Sequence, residues 1–228
     1  MALTLYYHPL SSCCWKVLIA LDEMGIAFEP RQVNFGDAAE RERFLALWPT
    51  GKIPLLVDGG QIVPETSIII EHLSQQHAAP ERSLLPPAAD GALETRLMDR
   101  VFDLYVMAPM QAIVADRLRE PDDRDAMSVN KARETLAMAY GLLDGRLGHR
   151  TWSAGERFSL ADCAAAPALF YAATLVPVPP AHRRLSSYTD RLLQRPSVDR
   201  VLEQARPFFP YYPFHEALPA RFRPAADH

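Results

Sequence analysis

The pattern that most constrains the fold of this chain is the confinement of strand-like segments to its first eighty residues. Short β-type runs alternate there with helical runs in the order βαβ, α, ββα. The last two strand-like runs are joined by Asp58-Gly59-Gly60, which is typical of a hairpin turn. After Pro80 the strand signals stop and amphipathic helical runs follow. We therefore predict an α+β unit followed by an all-helical one, with the boundary near residues 78–89.

The predicted elements follow from the spacing of apolar residues and from glycine and proline at the element ends. In the first part we expect strands over 3–7, 28–33, 54–57 and 61–63, and helices over 12–24, 38–47 and 65–76. In the second part we expect helices over 90–119 and 124–147, one that begins after a capping Ser159, and two over 185–194 and 197–205.

The predicted helix over 90–119 has apolar residues on two faces, which favours burial on two sides. Pro109 interrupts this helix and predicts a kink. One face carries Leu93, Leu97, Val101, Leu104 and Ala108, and the other carries Met98, Phe102, Tyr105 and Ala112.

Two later segments have their own signatures. Ser159 and Asp162 form the sequence pattern of a capping box, and the small residues that follow suit a central helix of a bundle. The tail from Arg206 on contains five prolines and six aromatic residues. We predict that this tail is not helical and follows an extended path over apolar surface.

The composition excludes several classes of function. With 49% hydrophobic residues, 23% charged residues and a net charge of −4, the 228-residue chain has no basic stripe for a nucleic acid. Three cysteines do not make a disulfide framework, and the N-terminus lacks the pattern of a signal peptide. The longest apolar run, 163–178, contains two prolines and is shorter than a membrane span. We expect a cytoplasmic protein without a membrane partner.

The first segment that suggests chemistry joins the first strand to the first helix and reads YYHPLSSCCWKV. A helix start presents unpaired backbone N–H groups and the positive end of the helix dipole, which favour anions. A hydroxyl or thiol there can donate a hydrogen bond to a bound thiolate, worth about 1.5–3 kcal/mol. That energy lowers the pKa of a thiol by about one to two units. Serine at a helix start is also an ordinary N-cap, so both interpretations stand on this segment alone.

Two further segments allow a binding role beside a plain structural one. Pro54, in GKIPLL, stands at the first residue of a strand, where a cis bond or a simple strand entry are both possible. Glu65 and Thr66 begin a helix. Their side chains and N–H groups form either a cradle for charged groups or a helix cap.

In combination, these segments resemble the cytosolic glutathione transferase family. The resemblance rests on SSCCWKV at the first helix, GKIPLLVDGG at the hairpin, ETSIIIEHL at the last helix of the first part and FSLADCAAAPAL in the second part. It is closest to the zeta class, with theta as a near relative. It implies a thioredoxin-like domain over 1–80, an all-helical domain over 89–228, glutathione as co-substrate, a homodimer and a role in detoxification.

The resemblance also implies roles at the first helix. Ser11 matches the hydroxyl that activates glutathione in zeta and theta enzymes, and Ser12 matches the second serine of that run. Cys13 matches the zeta cysteine and also the position of an active-site cysteine in beta-class enzymes. The two possible working groups, Ser11 and Cys13, are both kept as candidates.

The remaining glutathione contacts come from the two other segments. The resemblance makes Pro54 a cis-proline and has the backbone of Ile53 pair with the cysteinyl unit. Lys52 would approach the glycyl carboxylate. Glu65 and Thr66 would hold the γ-glutamyl group.

The sequence departs from the family pattern at three positions: Thr66 replaces a serine, Cys14 adjoins Cys13, and Trp48 stands where asparagine is usual. Isomerisation of maleylacetoacetate and Cys13-based thiol–disulfide exchange with glutathione are therefore alternative activities. A non-catalytic binding module is an alternative of another class. The seven histidines show no ligand spacing, so we predict no metal.

The second substrate, a small electrophile, is expected between the active loop before the first helix and the helix over 90–119. Around Pro109, the family layout points to Tyr105, Met107, Met110 and Arg117 as its lining, although ordinary helix packing also explains these residues. The aromatic tail either covers this cleft or seals the bundle.

Overall fold

The first half of the protein is a four-stranded sheet with helices, here described from a computed structural model that covers residues 3–223. The strand order is β2-β1-β3-β4; β1 and β2 are parallel, and the β1–β3 and β3–β4 pairs are antiparallel. The strands are β1 Leu3–Tyr7, β2 Glu29–Gln32, β3 Leu55–Asp58 and β4 Gln61–Val63, and the helices are α1 Ser12–Met24, α2 Ala38–Leu47 and α3 Thr66–Gln76.

Two local features fix this arrangement. The β3–β4 hairpin pairs Asp58 with Gln61, so Gly59 and Gly60 form a two-residue turn, with φ of 54° and 95°. Positive φ at both positions is the geometry of the type I′ turn and explains the glycine pair. The connection from β1 to the parallel β2 runs through α1, which ends as predicted at Gly25, with φ of 68°.

From residue 80 onward, the described residues form helices and short 3-10 turns. The helices are α4 Ala89–Phe102, α5 Ala108–Arg117, α6 Ala126–Leu147, α7 Leu160–Leu175, α8 Arg183–Leu193 and α9 Pro196–Ala205. The predicted capping box at the start of α7 is present, because Asp162 Oδ2 accepts both the N–H and the hydroxyl of Ser159 at 2.9 Å. The predicted fold class, a thioredoxin-like unit followed by a helical one, is confirmed.

The predicted single helix over 90–119 is divided. A π-helical segment, Asp103–Met107, separates α4 from α5. Pro109 lacks an N–H group, and its ring crowds the carbonyl of Tyr105 in a regular α-helix, so a wider turn just before it relieves both problems. On one of the two apolar faces Met98 and Phe102 are buried as expected, whereas Tyr105 is exposed. On the other face Val101 is buried but Leu93, Leu97 and Leu104 are exposed, so within one chain the prediction of burial on two sides was wrong for most of this face.

The tail also differs from its prediction. It forms 3-10 turns over Arg206–Tyr211, His215–Ala217 and Ala220–Phe222 instead of an extended path. Proline is tolerated at the first positions of such turns, and the aromatic side chains gain burial by turning inward. Its contact with apolar surface is as predicted, because Phe209 and Phe222 are buried.

The sheet with its helices and the all-helical part are unequal in length, and we call them the two halves of the chain. They share one hydrophobic core, and Trp15 of α1 lies at its centre. The Trp15 ring is fully buried against Phe170 and Tyr171 of α7 and against Phe209 of the tail. Packing of α1 on α7 therefore fixes the first half against the second. In the described part of the chain, every helix is too short or too polar to cross a membrane. The outermost residues of the predicted domains, 1–2 and 224–228, lie outside the described residues.

Candidate active site

The serine at the start of the first helix has a hydroxyl that can both accept and donate a hydrogen bond. Ser11 is the N-cap of α1, and its Oγ accepts the backbone N–H of Cys14 at 3.4 Å. An accepting hydroxyl still has its own O–H to donate. Since Ser11 is half-buried and lines a cavity, this O–H is available to a bound anion at the positive end of the helix dipole.

A first cavity, of about 520 Å³, lies between the start of α1, the segment before β3, the start of α3 and the π-helical segment. The Ile53–Pro54 bond at its edge is cis, as predicted. Its lining comes from both halves of the chain: Ser11, Cys13, Lys16, Trp48, Gly51, Lys52, Ile53, Pro54, Glu65, Thr66, Asp103, Leu104, Met107, Ala108 and Gln111.

A second cavity, of about 330 Å³, adjoins the first. Ser11 and Gln111 line both cavities, so the two meet at the start of α1. The rest of the second lining is mostly apolar and aromatic: Leu10, Ser12, Met110, Val114, Ala115, Leu118, Tyr171, Tyr211, Tyr212 and Pro213. The tail thus contributes to the wall of this cavity, which was one of its two predicted roles.

Glu65 is held in an unusual backbone conformation at the first cavity. Its φ of 68° and ψ of 121° lie in a region that non-glycine residues rarely adopt, at a cost of about 1–3 kcal/mol. Glu65 is the N-cap of α3, but its side chain makes no capping hydrogen bond, so the carboxylate does not cap the helix. Strain of this kind collects at binding sites, where the surrounding structure holds it in place.

Cys13 and Cys14 have different environments. Cys14 is fully buried, and burial raises the pKa of its thiol to about 12, which excludes it as a reactive group at neutral pH. Cys13 lines the first cavity, and its Sγ accepts a hydrogen bond from Gln111 Nε2 at 3.2 Å. Burial raises the Cys13 pKa, and the bond from Gln111 opposes that rise. In this state Cys13 is mostly a thiol at neutral pH.

A buried group of charged residues adjoins the first cavity, and we call it the bridging cluster. Lys16, with a side chain 1% exposed, places Nζ 2.6 Å from Asp99 Oδ1 and 2.9 Å from Asp103 Oδ2. The same ammonium donates to Ser67 Oγ of α3 at 3.0 Å, and Arg100 donates to both carboxylates from a half-exposed position. The cluster ties α1 and α3 to α4, and Lys16 and Asp103 also face the cavity.

The bridging cluster gives the first cavity an unusual carboxyl group. Burial raises the pKa of Asp103, while the Lys16 ammonium opposes that rise and Asp99 adds to it. Sequence reasoning missed this cluster and Gln111. The partners of Lys16 and Cys13 lie far along the chain, 87 residues away for Asp103 and 98 for Gln111, and no local spacing indicates either pair.

The structure brings most of the predicted site residues together. Around the first cavity it places Ser11, Cys13, Lys52, Ile53, Pro54, Glu65, Thr66 and Met107, and around the second it places Ser12 and Met110. Tyr105 and Arg117 are exposed and line neither cavity. The π-helical segment changes which residues of the former long helix face the cleft, which accounts for the position of Tyr105.

Comparison with known proteins matches both halves of the chain to one family. The model of the glutathione S-transferase N-terminal domain matches residues 5–81, and that of the C-terminal domain matches residues 101–196. Glutathione S-transferase 3 of Zea mays is 33% identical over 165 residues, which cover 70% of this chain and 73% of that protein. FtsZ-localized protein A of Caulobacter vibrioides is 31% identical over 170 residues, which cover 72% of this chain and 74% of that protein.

A solved structure has the same fold together with a ligand. The glutathione S-transferase of Methylobacterium radiotolerans, in complex with glutathione sulfonate, is 28% identical with a TM-score of 0.76, covering 88% of this chain and 94% of that one. A thioredoxin-like sheet, a helical half and a cavity lined by residues of both define the class. This chain belongs to the glutathione S-transferase family. Its place in the zeta or theta class stays a prediction.

Proposed function

We propose that this chain is a glutathione transferase that activates the glutathione thiol at the start of α1 and transfers it to a small apolar electrophile. One observation carries the proposal: Ser11 lines both cavities, so its hydroxyl can donate a hydrogen bond where the two meet. A nucleophile held in the first cavity and an electrophile held in the second would meet at this hydroxyl. Family membership and a relative in complex with glutathione sulfonate support glutathione as the co-substrate.

The first cavity supplies the groups that a tripeptide needs. Lys52 offers a cation for the glycyl carboxylate, and Ile53 offers its backbone N–H and C=O groups for the cysteinyl unit. Glu65 and Thr66 offer a carboxylate and a hydroxyl for the γ-glutamyl group. These assignments follow the family resemblance, and the shared cavity of the four residues supports them.

The chemical step requires a thiolate. Ser11 donates its O–H to the sulfur of glutathione, the thiol proton leaves to solvent, and the bond lowers the thiol pKa by about one to two units. The sulfur lone pair then forms a C–S bond to the electrophilic carbon. The electron pair of the bond that breaks leaves with the leaving group, or passes to a conjugated acceptor that is then protonated. The positive end of the α1 dipole further stabilises the thiolate.

The second cavity indicates the class of electrophile. Met110, Tyr171 and Tyr212 give it an apolar and aromatic wall, and no charged side chain lies in its described lining. Met107, in the first cavity, adjoins the same cleft. Apolar, aromatic electrophiles gain most from such a wall. This supports a role in detoxification of such compounds.

Two further features bear on the setting of the protein. The exposed leucines of α4, Leu93 and Leu97, with Leu104 beyond them, form an apolar face that a second copy would cover, which supports a homodimer. The three cysteines are all free, which supports a reducing compartment such as the cytoplasm.

A pair of variants tests the mechanism. We expect Ser11→Ala to lower kcat/KM with 1-chloro-2,4-dinitrobenzene by roughly 10²-fold, the usual effect of losing one donor to a developing anion. Glutathione affinity, measured by calorimetry, should change little. Because Ser11 is also an N-cap, the variant should lose about 1 kcal/mol of stability, so folded protein is verified by circular dichroism. Ser11→Thr keeps the hydroxyl and should recover most activity.

Cys13→Ala is the matched comparison, and we expect a change of less than about threefold. The reverse result, with Ser11→Ala active and Cys13→Ala inactive, would establish the Cys13-based alternative. Turnover of maleylacetoacetate without consumption of glutathione would establish the isomerase. The similarity to FtsZ-localized protein A makes an interaction module the second candidate. Wild-type protein that neither binds glutathione nor turns over any electrophile would favour that candidate.

A further inference from the structure

Three metal-ligating side chains converge at the end of the sheet opposite the active site. Asp58 ends β3, while the cis bond at Pro54 and the first cavity lie just before β3 begins. His72 Nε2 lies 2.9 Å from Asp58 Oδ2, and His77 Nε2 lies 2.6 Å from the same oxygen. The three ligand atoms all lie within 4.8 Å of one another. We propose that Asp58, His72 and His77 bind a divalent transition metal ion of the zinc class, at a site separate from the proposed transferase site.

The fold brings these residues together, although their spacing in the sequence does not predict it. His72 and His77 are five positions apart, so on a continuous α-helix their side chains would point about 140° away from each other. His77 is instead the C-cap of α3, with φ of −130° and ψ of −27°, and so leaves the helix. The hairpin turn after Asp58 packs beside the end of α3, and both imidazoles reach its carboxylate.

The donor set and its spacing suit a zinc-class ion. Two imidazole nitrogens and one carboxylate oxygen are borderline ligands, which favour zinc, cobalt or nickel over magnesium and calcium. A tetrahedral ion with bonds of about 2.0–2.1 Å holds its ligand atoms roughly 3.3 Å apart. The present spacing brackets that value, so small side-chain rotations are enough to admit an ion.

The site is accessible and already charged for a cation. The side chains of Asp58, His72 and His77 are 16%, 15% and 28% exposed, so an ion can enter from solvent. The Asp58 carboxylate supplies one negative charge toward a divalent cation. His77 also borders a surface cavity of about 540 Å³ beside Leu3 and Glu29, so solvent reaches this side of the cluster.

Titration with Zn²⁺ and Co²⁺ tests the proposal on the whole chain, with any affinity tag removed and glutathione absent, because both bind metals. We expect one equivalent of Zn²⁺ by calorimetry, and visible d–d bands of four-coordinate Co²⁺ in absorption spectra. His72→Ala and His77→Ala should each weaken Zn²⁺ binding by at least about tenfold and abolish the Co²⁺ bands.

His149→Ala, at an exposed histidine outside the cluster, is the matched control and should bind as wild type does. Asp58→Asn keeps the shape of the side chain and removes its charge, and should also weaken Zn²⁺ binding. Binding that is unchanged in the double variant of His72 and His77 would overturn the proposal, as would the absence of saturable binding at one equivalent. The transferase assay with Ser11→Ala is independent of this result, so the two proposals fail separately.

Discussion

Two buried charged residues in this protein, Asp162 and Lys16, have hydrogen-bond partners of different kinds. Asp162, at the start of α7, accepts hydrogen bonds from the N–H and hydroxyl groups of Ser153 and Ser159 and from the hydroxyl of Tyr188 at 2.6 Å. All of these donors are neutral, and we call this group the capping cluster. The bridging cluster instead pairs Lys16 with the carboxylates of Asp99 and Asp103.

The capping cluster stabilises the fold away from the active site, whereas the bridging cluster also lines the active site. The partners of Asp162 lie within the helical half, and none of them lines the two cavities of the active site. Lys16 and Asp103 line the first cavity and connect the two halves of the chain. Loss of the capping cluster should therefore change stability alone, whereas loss of the bridging cluster should change stability and glutathione binding together.

The largest effect is expected for Asp162→Ala. This change leaves five donors without an acceptor in a site that is 0% exposed, and each orphaned buried group costs about 1–3 kcal/mol. After relaxation we expect a loss of about 4 kcal/mol or more in the free energy of unfolding, measured by urea titration. The remaining folded protein should bind glutathione as wild type does.

Asp144→Ala is the matched control for this prediction. Asp144 Oδ1 also accepts two backbone N–H groups, from Arg184 and Leu185 at 2.9 and 3.0 Å, but the residue is half-exposed. Water can replace the lost acceptor there, so a loss of about 1 kcal/mol is expected. Equal losses at Asp162 and Asp144 would show that burial does not set the cost.

The capping cluster also illustrates what the sequence can reveal. The capping box spans four residues, so its partners are visible in a short window. The same holds for Ser11 at the start of α1 and for the Gly59-Gly60 turn, and periodicity likewise identified the strands and most helices. These features depend on local geometry, which a single sequence contains.

The bridging cluster could not be predicted from the sequence because its contacts join residues that are far apart along the chain. Lys16 stands in the quoted motif, but its partner Asp103 depends on how α1 packs against α4 and on the π-helical segment. The prediction that both apolar faces of the helix over 90–119 are buried was wrong at the leucines of α4 for a related reason. Periodicity shows an apolar face but not what covers it. Likewise, His72 and His77 meet because a helix ends between them.

The second largest effect is expected for Lys16→Met, which keeps the length of the side chain and removes its charge. The buried carboxylate of Asp99 and the partly buried carboxylate of Asp103 then share one half-exposed guanidinium. We therefore expect a loss of about 3 kcal/mol in the free energy of unfolding. Because Lys16 lines the first cavity, glutathione affinity by calorimetry should fall as well. This joint effect would separate the bridging cluster from the capping cluster.

Lys131→Met is the control, because Lys131 is exposed on α6 and should be nearly neutral in both measurements. If Lys16→Met destabilises the protein and leaves glutathione affinity unchanged, the bridging cluster is a structural device like the capping cluster. The two clusters would then have the same role and differ only in how deeply they are buried.

The smallest effect concerns the pH dependence of stability at Asp103. Burial raises the pKa of this carboxyl above its ordinary value of 3.8, so the folded state holds the proton more tightly than the unfolded state does. Wild type therefore loses part of its stability as the pH rises from 3.8 through the raised pKa. Asp103→Asn stays neutral and escapes that loss.

The difference in unfolding free energy between Asp103→Asn and wild type should thus shift in favour of the variant as the pH rises above 3.8, as followed by urea titration. Asp199→Asn, at an exposed position, corrects for general effects of charge. A shift in the opposite direction would mean that Lys16 and Arg100 outweigh burial and hold Asp103 as a carboxylate. In that case Asp103 presents a fixed negative charge to the first cavity over this range of pH.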